Sequence, residues 1–314
     1  MREIAVFSGN AHPELAREIC LHLGVPLYPV RIQRFANDCL EVQLQANCRE
    51  RDVFLIQPLV EPVQEHLVEL LLMADAARGA SAARVTAVMP YYAYARSDKK
   101  DEPRISIAGR LIADLLVAAG ADRVLTMTLH SPQVHGFFSV PVDHLNALRE
   151  LANHFRMQDL SNTVVVSPDL GYAKSAAAFA RRLSLPVAAG SKERHADDKV
   201  TISAIIGDVT GKDVIVIDDE IARGTTLVEL LDRLREQNAG TVRIACTHGL
   251  FADGALGKLA AEPDVVEVIC TNTTPMPEHK RDDKLKVLSI APAMGEAIRR
   301  IHNGESVSSL FDLP

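Results

Sequence analysis

The sequence predicts an α/β protein built as two similar halves, each a mostly parallel sheet flanked by helices. Three observations carry that expectation. Short apolar runs alternate with helix-period patterns along all 314 residues, the pattern of repeated strand–helix–strand units. The string Leu67-Val68-Glu69-Leu70-Leu71 returns as Leu227-Val228-Glu229-Leu230-Leu231, 160 residues further on. Each copy follows one apolar run (53–56, 214–217) and precedes another (85–88, 242–246). The matched order of neighbours makes duplication of a whole unit the simplest explanation. The boundary is expected near residue 150, giving halves 1–150 and 151–314 with a C-terminal tail able to pack back on the first half.

Ile4-Ala5-Val6-Phe7 reads as an immediate first strand, and its apolar run is too short for a secretory leader. Further strands are expected at 53–56, 85–88, 124–127, 164–166 and 214–217. Leu67, Leu70, Leu71 and Ala74 fall on one helical face, and so do Leu227, Leu230, Leu231 and Leu234. No stretch approaches the about 18 apolar residues of a membrane span.

Composition narrows the function. Lys+Arg 34 against Asp+Glu 41 leaves a net charge of −7, so the chain has no general electrostatic pull toward nucleic acid. Aromatics make up 4% and tryptophan is absent, so platforms for stacking single-stranded bases are scarce. A 47% hydrophobic content suffices for a sizeable core. The cysteines Cys20, Cys39, Cys48, Cys246 and Cys270 are odd in number and contain no C-x-x-C, which suits reduced thiols in the cytoplasm better than disulfides or a zinc ribbon.

The chemistry concentrates at Val214-Ile215-Val216-Ile217-Asp218-Asp219, followed by a loop through Ala222, Arg223, Gly224, Thr225 and Thr226 into a helix. In open α/β sheets, ligands bind outside the carboxyl ends of strands. Loop amides and a helix N-terminus suit a phosphate, and the two threonines add hydroxyls. The paired carboxylates suit sugar hydroxyls or hydrated Mg²⁺. Thr226 with Glu229 three residues later also fits a capping box, which would explain the threonine without a ligand. Neither a Walker P-loop nor a Rossmann glycine pattern is present.

This acidic strand end and Gly/Thr loop resemble the phosphoribosyl-diphosphate loop of the phosphoribosyltransferase-type fold. The remaining segments resemble the ribose-phosphate diphosphokinase (phosphoribosyl pyrophosphate synthetase) family nearly end to end. They are Arg34-Phe35-Ala36-Asn37, the run from Pro90 to Lys100, Leu129-His130, Gly136-Phe137-Phe138, Val166-Ser167-Pro168-Asp169, Lys192-Glu193-Arg194, Cys246-Thr247-His248-Gly249 and the run from Arg300 to Ser308. The resemblance implies two phosphoribosyltransferase-like domains and transfer of the β,γ-diphosphoryl group of MgATP to the 1-hydroxyl of ribose 5-phosphate. It further implies a homo-oligomer, a hexamer built from dimers, in the cytoplasm, with no nucleic-acid or membrane partner.

Carried over by position, Phe35 and Arg96 sandwich the adenine, with Asn37, Asp98 and Lys99 beside it; an arginine plane stacks well on a π-face. His130 and Asp169 hold Mg²⁺. Asp218 and Asp219 take ribose hydroxyls, and Ala222, Arg223, Gly224, Thr225 and Thr226 take the 5-phosphate. Lys192 and Arg194, in the polar stretch 191–198, supply catalytic cations from a mobile loop. Arg49, Asp52, Lys100, Arg104 and Ser306 are compatible with the family's regulatory interface, where His135 is a further candidate position.

Several positions depart from the family pattern. Cys39 stands where Glu is usual, Thr128 where an acid is usual, Ala222-Arg223 where Asp-Thr is common, and Tyr172 where Gly is usual. Asn47, Pro132 and His135 depart at the regulatory interface. They suggest regulation without strong ADP inhibition or phosphate dependence. A catalytically silent paralogue that assembles with an active synthetase is the alternative, and a true phosphoribosyltransferase is a third possibility, disfavoured by the duplication.

Overall fold

The computed structural model describes residues 3–194 and 200–310, apart from the side chains of 192–194, 200, 201 and 203. It divides into two compact units. The first comprises residues up to 146, 273–275 and those from 289 on; the second comprises 147–272 and 276–288.

The first unit runs β1 (Ile4–Ser8), α1 (Pro13–Leu23), β2 (Leu27–Tyr28), β3 (Val30–Arg34), β4 (Leu40–Leu44), β5 (Asp52–Ile56), α2 (Val63–Gly79), β6 (Arg84–Met89), α3 (Ala108–Ala119), β7 (Arg123–Met127) and β8 (Val142–Leu145). Six strands form a parallel sheet in the order β2-β1-β5-β6-β7-β8, and β3 and β4 form a separate antiparallel hairpin. β5 is buried at every position, as a strand covered on both faces must be.

The second unit runs α4 (Leu148–Phe155), β9 (Thr163–Ser167), α5 (Ala173–Leu183), β10 (Val187–Arg194), β11 (Val200–Ile206), β12 (Asp213–Ile221), α6 (Thr225–Glu236), β13 (Val242–Gly249), α7 (Ala255–Ala261), β14 (Val265–Thr271) and β15 (Leu285–Leu288). Its sheet order is β11-β10-β9-β12-β13-β14-β15, parallel except for the β10–β11 pair. The chain then re-enters the first unit as α8 (Ala291–Asn303), which packs on α1 much as α4 packs on α5.

The internal repeat is therefore architectural. In both units a central strand (β5, β12) leads into a helix (α2, α6) and then into the next parallel strand (β6, β13). Leu67 and Leu70, like Leu227, Leu230, Leu231 and Leu234, are buried against their own sheets. Each such side chain contributes roughly 1.5–3 kcal/mol.

Two segments differ from the sequence expectation. β12 does not stop at the acidic pair but runs on to Ile221, because β13 extends alongside and pairs Asp218 with Cys246, Glu220 with His248 and Ile221 with Gly249. The backbone from Ser191 to Arg194 is strand, not loop: Lys192, Glu193 and Arg194 pair with Ile202, Thr201 and Val200 of β11. The rest of the expected loop, 195–198, lies outside the described residues, as do the side chains of Lys192 and Arg194.

At the amino edge of the first sheet, Asp52 opens β5 and is buried. Arg84 grips it through Nε at 2.8 Å and a second, shorter bond from Nη2, and also donates to the Ile301 carbonyl at 2.9 Å. The His302 ring completes the cluster, with Nδ1 2.9 Å from Asp52. Asp52 thus ties the end of α8 to β5 and β6. Replacing Asp52 with alanine strands the partly buried Arg84 charge, and we expect a loss of about 3 kcal/mol in denaturant unfolding.

On α8, hydrogen bonds from Arg299 and Arg300 hold the Glu296 carboxyl down from 4.5 to about 2. Between those values the unfolded chain binds the extra proton, so this group's contribution is complete above pH 4.5 and is lost as pH falls toward 2. The slope of unfolding free energy against pH in that window should flatten in Glu296→Gln.

Candidate active site

The carboxyl edge of the second sheet gathers the chemistry. β12 brings Asp218 and Asp219 there from a run of four buried apolar residues, and Asp219 is itself only 4% exposed. The Asp219 amide donates to Asp218 Oδ1 at 2.9 Å. Burial, then the charge of Asp219 beside it, with Asp169 adding, pushes the Asp218 carboxyl well above the usual carboxylate range. A cation or a hydroxyl donor relieves such crowding.

The loop beyond the pair turns on Gly224, which caps α6 in the left-handed region at φ +71°. Val228 N–H bonds back to the Gly224 carbonyl at 3.0 Å. The helix begins at Thr225 with no side-chain cap, so the capping box that Thr226 and Glu229 also fit, the explanation without a ligand, does not form. The first-turn amides, which have no partner within a helix, are left to other acceptors, the arrangement that receives an anion. Arg223 points away to an exposed ion pair with Asp253 at 3.1 Å.

Asp169 lies just after β9, the neighbouring strand. Its Oδ1 accepts the Tyr172 amide at 3.1 Å, while its carbonyl accepts the Ser167 hydroxyl at 2.6 Å. Gly171 leaves room for it: a Cβ there would lie 3.1 Å from Asp169 Oδ1. Oxygen-only ligands of this kind suit Mg²⁺, which takes one or two carboxylates and completes its shell with water and substrate phosphate. Among the described residues no preassembled cluster of three or more His, Cys, Asp or Glu ligands exists.

In the first unit, the β3–β4 hairpin carries Phe35, 47% exposed, and Asn37 at its tip. The turn closes through Phe35 N–H to the Cys39 carbonyl and Asp38 N–H to the Phe35 carbonyl, both at 2.9 Å. Arg34 at its base pairs with Glu65 of α2. Arg96 ends a short 3-10 turn, Ala93–Arg96, and is exposed. Ser97 anchors the start of α3, accepting the Ala108 amide on its hydroxyl and the Gly109 amide on its carbonyl, both at 3.0 Å. Asp98 takes a hydrogen bond from Gln133, and Lys99 pairs with Asp101.

His130 is exposed just beyond β7, after Thr128 at φ +42°. A β-branched residue in that region is strained and stays there only when its surroundings fix it. Here the Thr128 amide bonds to the Leu145 carbonyl and the Leu129 amide to His144 Nε2, both at 2.8 Å. Of the regulatory candidates, Arg49, Lys100, Arg104, His135 and Ser306 are exposed, whereas Asp52 is buried in its cluster with Arg84 and His302. The Ser306 carbonyl accepts Arg300 Nη1 at 3.0 Å.

Sequence reasoning missed the first unit's counterpart of this edge. After β1, Asn10 donates its backbone and side-chain N–H groups to Glu69, at 3.0 and 2.8 Å, and Gln57 at the end of β5 donates to the same carboxylate at 2.7 Å. Glu69 is fully buried in α2. The signal lay in the repeat, where Glu69 and Glu229 match while an amide, Gln57, ends the strand in place of the acidic pair.

A parallel sheet with an acidic strand end and an uncapped helix beyond a Gly/Thr loop defines the class: two phosphoribosyltransferase-like domains. Residues 4–120 match the family described as the N-terminal domain of ribose phosphate pyrophosphokinase, and residues 194–312 match the phosphoribosyl synthetase-associated domain. A Streptomyces coelicolor protein, provisionally described as a ribose-phosphate pyrophosphokinase, is 74% identical over 99% of this chain and 98% of its own. The ribose-phosphate pyrophosphokinase of Deinococcus radiodurans is 52% identical over 98% of both chains. The crystal structure of phosphoribosylpyrophosphate synthetase from Mycobacterium smegmatis superposes with a TM-score of 0.91 at 40% identity, over 96% of this chain and all of that one. The chain belongs to the ribose-phosphate pyrophosphokinase family and is an enzyme of the diphosphokinase kind.

Gly224 offers a direct check on the loop. Alanine at φ +71° should cost about 1–2 kcal/mol in denaturant unfolding, well beyond the few tenths of an ordinary glycine cap change.

Proposed function

We propose that the enzyme transfers the β,γ-diphosphoryl group of ATP to the 1-hydroxyl of ribose 5-phosphate, giving 5-phosphoribosyl 1-diphosphate and AMP. The observation that supports this most is the acidic pair at the carboxyl end of β12 beside the uncapped start of α6. That edge offers acceptors for sugar hydroxyls next to amide donors for a sugar phosphate.

In this reading the amides and hydroxyls of residues 222–226 hold the 5-phosphate. Asp218 and Asp219 accept hydrogen bonds from ribose hydroxyls and so fix the sugar. Phe35 and Arg96 stack on the adenine, with Asn37, Asp98 and Lys99 beside it. His130 and Asp169 are the residues that would hold Mg²⁺, which when bound neutralises phosphate charge. The 1-hydroxyl oxygen bonds to the β-phosphorus as that phosphorus parts from the α–β bridging oxygen. AMP leaves with that oxygen, and the hydroxyl proton passes to solvent. Lys192 and Arg194 place positive charge on the phosphoryl oxygens in the transition state, where little covalent chemistry is required of the protein.

The same reading makes the enzyme a cytoplasmic homo-oligomer, a hexamer built from dimers. Its departures at Asn47, Pro132 and His135 give kinetics insensitive to inorganic phosphate; steep phosphate activation with ADP inhibition at a second site would contradict this. No helix among the described residues is long and apolar enough to cross a membrane. The alternative of a catalytically silent paralogue finds no support among the relatives, which are themselves named pyrophosphokinases.

The test is AMP release from ATP and Mg²⁺ with and without ribose 5-phosphate. AMP formation should depend on the sugar phosphate and fall by about 10²–10³ in Lys192→Ala, the usual effect of removing one transition-state donor. A folded protein that binds ribose 5-phosphate but forms no AMP would overturn the reading.

A further inference from the structure

Tyr172 stands between Gly171 and α5. Its backbone, at φ −94° and ψ −1°, makes no demand for glycine. Its amide already holds Asp169 Oδ1 at 3.1 Å. Its ring packs on the cluster that contains Val165, Phe179, Ile215, Ile217 and Ala245. Side chains alternate along a strand, so Ile215, Ile217 and Asp219 share one face of β12, and the ring lies along the face that ends in Asp219.

The Tyr172 hydroxyl is buried and has no hydrogen-bond partner. Ser175, one turn into α5, is close enough to act weakly on it, without the geometry of a hydrogen bond. Burial, followed by the charges of Asp219 and Asp218, holds the phenol far above its ordinary pKa, so it keeps its proton and remains a donor. A buried hydroxyl left without a partner is unfavourable, and its presence in a fold calls for a reason.

We infer that Tyr172 is a positioning residue for the sugar site: its buried hydroxyl is the donor that the Asp218–Asp219 pair takes up when ribose 5-phosphate occupies it. The inference rests on the reading of that pair as the acceptors of the ribose hydroxyls. Each carboxylate has about four lone-pair sites, and a sugar hydroxyl fills only one or two. A further donor from the protein side fixes the orientation of the carboxylate that faces the sugar.

Tyr172→Phe removes the donor and keeps the ring. Calorimetric titration should show ribose 5-phosphate binding weakened about tenfold, with ATP affinity unchanged. In turnover, KM for ribose 5-phosphate should rise while kcat stays within about twofold. The unliganded variant should unfold at the same or a higher temperature than wild type, because an unpaired hydroxyl has been removed. In an Asp219→Asn background the effect of Tyr172→Phe should shrink to less than about twofold, as coupled groups require.

Unchanged ribose 5-phosphate affinity in Tyr172→Phe overturns the inference. A drop in unliganded stability at unchanged affinity does so too, and assigns the hydroxyl to Ser175. If wild type itself binds no ribose 5-phosphate, the reading of the Asp218–Asp219 pair is what fails. If wild type binds it and the variant binds equally well, the role of Tyr172 alone fails.

Discussion

Two carboxylates placed side by side at the end of a buried strand govern the second unit. Asp218 and Asp219 are carried there by β12, whose pairing with β13 continues past them and leaves the backbone no freedom to spread them apart. Asp169 arrives from the adjacent strand, so negative charge collects at one edge of the sheet. The parallel sheet aims the uncapped N-terminus of α6 at the same edge, where its dipole opposes that charge. Asp169 is held by the Tyr172 amide, with Gly171 leaving room beside it. The loop from 222 to 226 is shaped by the left-handed turn at Gly224.

The duplicated unit resolves the same topology differently. There the corresponding edge is filled by the protein's own groups, with Asn10 and Gln57 donating to the buried Glu69. A charge satisfied by three internal donors does not call for a ligand. The first unit instead projects residues outward, on the β3–β4 hairpin tip, the segment after Arg96, and the strained turn at Thr128 that precedes His130. One fold thus supports two kinds of edge, and the residues at the strand ends decide which.

Much of this was legible in the sequence. Apolar runs located β1, β5, β6, β7, β9 and β12, because parallel strands covered on both faces leave little choice of residue. The Leu67 and Leu227 strings located α2, α6 and the repeat. The acidic pair and the Gly/Thr loop marked the site, because charge after a run of buried aliphatics is conspicuous. Less was legible where long-range pairing decides structure: β12 reaches Ile221 and β10 reaches Arg194 only because β13 and β11 lie alongside. Asp52 read as a surface candidate, yet Arg84 and His302, 32 and 250 residues away, draw it into a buried cluster. The unused hydroxyl of Tyr172 could not be foreseen, since burial of one atom depends on packing that no local pattern records.

The division of labour between the two edges is tested most directly by the stoichiometry of ribose 5-phosphate binding, measured by titration calorimetry on wild type and Asp219→Asn. One molecule per chain, with affinity weakened at least about tenfold in the variant, is the expected result. Two molecules per chain, or an affinity unchanged in Asp219→Asn, would show that the sugar phosphate is held elsewhere.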